Sequence, residues 1–227
     1  MKKENSDIRI EINSTKDSEY NKVFIENLYK KIINEKTNIL ETLELKKVRK
    51  VTIKLYNNQK DFISSIEKFY IGYKIPTYCK GTIQNGEIYF LIDTQIKENT
   101  YEYELELRKI IHEYIHILNN EYIFNSETRI TWLDEGIALN LSKQRGKFLK
   151  EKYPILKSNL NKINLNKLQH EQQTFMSQNI NGYDISYLTV KYLMETMSRE
   201  EFNNIIRKNE KILEIRKKCM ARCKKIF

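Results

Sequence analysis

The sequence is poor in the residues that interrupt, staple or decorate a chain. Among 227 residues there are two prolines (Pro76, Pro154), six glycines, three cysteines, three histidines and a single tryptophan. So few breakers favour long helices joined by polar loops. Three cysteines (Cys79, Cys219, Cys223) make no disulfide framework. Cys219 and Cys223 share a helical face by spacing, but with no second pair and no neighbouring histidine they do not read as a zinc knuckle. No run of about 18 apolar residues occurs, which argues against a membrane-spanning helix. The opening Met1-Lys2-Lys3-Glu4-Asn5-Ser6-Asp7 is followed by no apolar core of a secretory leader. The expected location is therefore cytoplasmic by default, with a trimmed secreted form as the alternative.

What is present is a globular composition: 40% hydrophobic, 11% aromatic and 31% charged. The net charge of +10 is unevenly placed, because nine basic and two acidic residues lie between Arg207 and Phe227. That segment holds +7, and the remaining 206 residues are close to neutral. A basic C-terminal segment is either a solvated helix end or a contact for nucleic acid or an anionic surface. No helix-turn-helix or zinc-finger signature accompanies it.

Periodicity predicts a strand at Ile8–Ile12, a long helix from Ser18 to Leu45 with Val23, Phe24, Leu28, Ile32, Ile33 and Leu40 facing inward, and a strand over Val48–Tyr56. A helix over Gln59–Tyr70 follows, with Phe62, Ile63, Ile66 and Phe69 on one side. Thr77–Ile83 and Glu87–Ile92 flank Asn85-Gly86, a strong hairpin signal. Beyond it the pattern is helical: Glu102–Asn119, Thr131–Lys143 (with Gly136, a weak helix former, inside it), Leu165–Met176, Tyr183–Met197 and Ser198–Lys218. Ser158–Lys167 reads as a connector. The expectation is an α+β protein with one domain over residues 1–206, strand-rich to about residue 96, and a basic helical segment over 207–227.

Two of the three histidines fall in His112-Glu113-Tyr114-Ile115-His116. Residues four apart on a helix are neighbours on one face, so both imidazoles reach a single metal ion. Glu113, one position on, is turned away from the ligands and toward the water that a hydrolytic site activates. Ile110, Ile111, Ile115 and Leu118 would bury the helix and keep the site dry. Two ligands do not suffice for zinc, which takes three from the protein in catalytic sites. With 18 residues between them, His116 is followed by Glu135, in Trp132-Leu133-Asp134-Glu135-Gly136-Ile137-Ala138.

H-E-x-x-H followed at this distance by W-L-x-E-G-x-A resembles the gluzincin metallopeptidases, such as the aminopeptidase N type and the bacterial peptidase MA-like family. The resemblance covers roughly residues 48–205 and is specific only at its motifs. It implies a thermolysin-like catalytic domain, one Zn2+ per chain held by His112, His116 and Glu135, Glu113 as general base, and a peptide or protein substrate. Gly182-Tyr183-Asp184-Ile185-Ser186-Tyr187-Leu188-Thr189-Val190-Lys191-Tyr192-Leu193 is similar to the family helix whose first tyrosine stabilises the oxyanion. That role falls on Tyr183, with Tyr187 one turn later as the alternative. The family also binds substrate along an edge strand above the metal, for which Tyr78–Thr82 and Glu87–Phe90 are the candidates.

Two family features are missing. Lys80-Gly81-Thr82-Ile83-Gln84-Asn85 lacks the glutamate with which aminopeptidases grip a free amine. Position 139 is leucine where thermolysin-like enzymes carry an aspartate, so the group that orients the histidines is unassigned, and so is Asp134. His170 reads as a surface or packing residue. A reading from another class is a catalytically silent zinc-site protein that acts as a binding or regulatory module, in contact with anionic surfaces or nucleic acid through its basic end.

Overall fold

The computed structural model describes residues 1–13, 18–76, 79–124, 129–145, 176–177 and 180–207. The helix expected at Leu165–Met176, the connector 158–167, His170, Tyr78, Cys219, Cys223 and the basic segment beyond Arg207 lie outside these but for Met176. The architecture is α+β, and the residues gather into two compact units, Met1–Ile117 and Leu118–Phe227.

The first unit is built on five strands: β1 (Lys2–Glu4), β2 (Ile8–Ile12), β3 (Val51–Tyr56), β4 (Gly81–Gln84) and β5 (Glu87–Leu91). They lie in the order β1-β2-β3-β5-β4, with the two inner pairings parallel and the two outer ones antiparallel. Registry follows the apolar alternation. Ile8, Ile10 and Ile12 face Val51, Ile53 and Leu55, while Ile53 and Leu55 face Ile88 and Phe90. All eight are buried, so a slip of one residue would turn the whole set outward. Strand β1 was not expected, because Lys2-Lys3-Glu4 carries no apolar alternation; it pairs with β2 at the sheet edge.

Helix α1 (Glu19–Thr42) makes the crossover between the parallel strands β2 and β3. Ser18 caps it by accepting the Asn21 N–H at 3.2 Å. Its buried stripe is Asn21, Phe24, Ile25, Leu28, Ile32 and Ile39, whereas Val23, Ile33 and Leu40 are half-buried on the flanks. The helix ends at Thr42 rather than Leu45, because Glu44 turns to φ 51° and Leu45 N–H reaches back to Leu40 O, closing the last turn. Residues that point to the other side of the sheet, Tyr56 and Tyr89, pack with Phe62 and Ile66 of α2 (Gln59–Ile66). The helix stops there, and Glu67–Phe69 continue as a single 3-10 turn. The hairpin turns at Asn85 (φ 51°) and Gly86 (φ 70°), the two positive angles that Asn-Gly tolerates best.

Helix α3 (Tyr101–Tyr122) begins beside α1. Tyr103 sets its ring edge-on to Phe24 at 5.5 Å and its hydroxyl accepts from Asn27 at 3.0 Å. Lys31 and Arg108 both pair with Glu104, at 2.6 and 2.5 Å. Among the described residues of the second unit are α4 (Thr131–Leu141), a two-stranded ribbon of β6 (Met176–Ser177) and β7 (Ile180–Asn181), α5 (Gly182–Thr196) and α6 (Arg199–Arg207). Gly136 does not interrupt α4. It is where α5 comes closest: a Cβ there would stand 2.4 Å from both Ser186 O and Val190 Cγ2. Asn140 fastens the same contact, donating to Gly136 O at 2.8 Å and Tyr187 O at 2.9 Å.

Gly136→Ala should therefore force α4 and α5 apart, since the obstruction includes backbone. We expect a loss of about 2 kcal/mol or more, which is about 4–8 °C in a domain of this size. Thermal unfolding followed by circular dichroism checks this; an unchanged midpoint would show that the helices part freely.

Candidate metal centre

The two histidines sit on the most deeply buried stretch of α3. Ile110, Ile111, Tyr114, Ile115 and Leu118 are fully buried, as the apolar spacing predicts. Among them His112 is 8% exposed and His116 is 5% exposed. Buried imidazoles need partners, and these two turn toward each other. Their Nε2 atoms are 2.9 Å apart and the rings meet nearly edge-on, with centroids 4.5 Å apart. Glu135, in the first turns of α4, completes the group: one ligand atom from each of His112, His116 and Glu135 lies within 4.8 Å of the others.

The donor set can be tested against a metal. Bonds of 2.0–2.1 Å in a tetrahedron put donor atoms about 3.3 Å apart. The histidine pair is slightly closer than that and the widest separation is at most 4.8 Å, so rotamer adjustments of the order of 1 Å bring the three to bonding distance. Two imidazoles and one carboxylate are a donor set that zinc takes, and that other first-row divalent ions take as well. The residues present fit the ion.

Asp134 acquires a position that the sequence left open. It is fully buried and accepts Asn119 Nδ2 at 2.7 Å, Arg129 Nε at 2.7 Å and Arg129 Nη2 at 2.6 Å. Asn119 belongs to the last turn of α3 and Asp134 to the first turn of α4, so this carboxylate ties together the ends of the two helices that carry the motifs. Its neighbour Glu135 is thereby set in place. No spacing rule signalled this; the signal was an acidic residue beside the expected ligand, inside an apolar run.

Glu113 is half-buried, unlike its histidine neighbours. Its carboxylate is felt by Cys79, whose thiol pKa is pushed up first by burial and further by the Glu113 charge. Cys79 lies two residues before β4, so Glu113 faces the β4 end of the sheet. Tyr183 is half-buried in the first turn of α5, with its N–H donated to Asn181 Oδ1 at 3.0 Å. Tyr187 is more deeply buried, and its backbone carbonyl accepts from Asn140. Asp184, between them, is buried and paired with Arg145 at 2.8 Å. Of the two hairpin strands, β4 ends the sheet and β5 is enclosed between β3 and β4. The Glu87–Phe90 candidate for an edge is thus excluded, because its backbone is already paired on both sides.

No protein-family model matches the chain, and no curated protein matches it. Among the described residues, no helix is long and apolar enough to cross a membrane.

The donor set leads to an expected stoichiometry of one zinc per chain. His112→Ala combined with Glu135→Ala should abolish tight binding, since one imidazole does not hold the ion. Metal analysis after dialysis checks this. Full zinc in the double variant would place the ion elsewhere.

Proposed function

We propose that the protein is a zinc-dependent peptidase of the gluzincin type, built on a thermolysin-like catalytic domain. The observation that carries this reading is the convergence of His112, His116 and Glu135 within 4.8 Å, with a carboxylate, Glu113, one residue past the first histidine. Zinc held by these three residues supplies Lewis acidity, polarising a carbonyl and making water a nucleophile near neutral pH.

The remaining work belongs to the chain. Glu113 accepts the proton of the attacking water and returns it to the leaving amine. Its partial exposure supports this role, since a base that is used repeatedly must exchange protons with solvent. Tyr183, in the first turn of α5, donates its hydroxyl to the oxyanion. The edge strand β4 offers its backbone to an extended peptide, which adds to the sheet as a further strand. The absence of an amine-gripping glutamate in Lys80–Asn85 favours internal or unselective cleavage over removal of N-terminal residues. The alternative of a silent zinc-binding module is separated from this by turnover alone.

Glu113→Gln is nearly isosteric and cannot take up a proton. It should retain zinc and the wild-type melting temperature while losing about 10²–10⁴ in rate, measured by digestion of a peptide library and mass spectrometry of the products. In the same assay Tyr183→Phe should slow turnover by about 10²–10³, and Tyr187→Phe should not. A zinc-loaded wild type that cleaves nothing would overturn the peptidase reading, as would a Glu113→Gln variant with undiminished rate.

A further inference from the structure

Between α2 and β4 the chain makes a tip that the fold does not use. Tyr73 N–H donates to Tyr70 O at 2.9 Å, and Gly72 has φ 80°, so Tyr70–Tyr73 is a tight turn with glycine at its third position. The tip projects into open space, for a Cβ built on Gly72 would meet nothing within 4 Å. At it stand Ile71, 85% exposed, and Tyr73, 80% exposed, far more than any other large apolar side chain among the described residues.

The base of the tip is anchored to the sheet. The Phe69 ring packs on Tyr89 at 5.8 Å, and the Tyr70 hydroxyl and Thr82 Oγ1 are hydrogen-bonded at 3.1 Å. Two large apolar side chains are thus held out in water by anchored neighbours, at a standing cost in hydration that packing within the unit does not relieve. The stretch that forms the tip is basic, although the exposed Glu67 stands just before it. From Lys68 to Lys80 there are three lysines, Lys68, Lys74 and Lys80, and no acidic residue. Lys74 is exposed beside Tyr73, and Lys68 is exposed with its ammonium 5.0 Å from the Phe69 ring centre.

We infer that the Ile71-Gly72-Tyr73-Lys74 turn is a docking tip for an anionic lipid surface. Ile71 enters the acyl boundary, Tyr73 settles at headgroup level, and the lysines face the phosphates. Tyrosine prefers that depth because one end of it is apolar and the other polar. Each basic residue near an anionic leaflet adds to the attraction. A protein partner suits the tip less well, since a stable interface covers about 800 Å² on each side and a four-residue turn presents a small part of that. This inference does not depend on the metal or on peptidase activity.

The test uses the full chain and vesicles of phosphatidylcholine with or without phosphatidylglycerol. Wild type should co-sediment with the anionic vesicles at low salt, weakly with neutral ones, and less as salt rises. The double variant Ile71→Ser, Tyr73→Ser should keep its melting temperature, since both side chains are exposed, and bind about tenfold more weakly. Tyr73→Trp places a reporter at the tip. Its emission should shift to shorter wavelength on anionic vesicles and be quenched by brominated acyl chains, against the constant background of Trp132, which is 1% exposed. Failure of wild type to bind anionic vesicles would overturn the inference and turn the search to a protein partner. So would an unmoved Tyr73→Trp emission in a chain that does bind, since the basic segment alone would then make the contact.

Discussion

Two imidazoles buried in an apolar helix are the constraint from which the rest of the arrangement follows. Around His112 and His116, α3 presents isoleucine, leucine and tyrosine that are fully buried, so water does not serve the ring nitrogens as it would at a surface. The two Nε2 atoms can bond each other or share an ion, and the four-residue offset puts them where they can do either. A helix that accepts such residues needs neighbours whose positions are fixed, because a donor displaced by 1 Å no longer ligates.

Fixing those neighbours falls to residues that touch no metal. Asp134 binds the start of α4 to the end of α3 through Asn119 and is charge-compensated by Arg129. Removing Asn119 or Arg129 would be costly, because the fully buried Asp134 carboxylate would lose a partner. On its other side α4 is pinned to α5 by the missing side chain of Gly136 and the amide of Asn140. Glu135 thus stands between an anchored, buried carboxylate and a close helix crossing. A carboxylate so constrained loses little conformational entropy on binding a ligand, which suits it to a metal site on the proposed reading.

Much of this was legible in the sequence, for identifiable reasons. Period-two alternation places Ile8, Ile10, Ile12 and Val51, Ile53, Leu55 in strands, and Asn85-Gly86 places the hairpin, because each signal is local. The convergence of His112, His116 and Glu135 was legible because helical spacing fixes the histidines and ligand counting demands a third group. What escaped was set by tertiary context. Strand β1 forms from Lys2-Lys3-Glu4 only because β2 offers it an edge. The role of Asp134 depends on Asn119 and Arg129, which no periodicity links to it. Gly136 looked like a weakness in a helix, and it is the condition for a helix contact. The choice of β4 over β5 as the edge depended on strand order, which hairpin chemistry leaves open.

The contrast between Glu113 and the histidines carries the mechanism one step further. The two histidines are buried, which keeps the dielectric low and strengthens whatever charge the site holds. Glu113, one residue away on the same helix, is half-buried. A base sealed as deeply as His116 would have its ionised form penalised by desolvation and would lack a route for protons. A fully exposed base would leave the reacting water competing with bulk solvent. Placing His112 inward and Glu113 toward the margin follows from the 100° rotation between successive residues of a helix, so one turn of α3 offers a buried imidazole and a half-buried carboxylate together. On the proposed reading, the motif owes its spacing to that division as much as to the geometry of the ion.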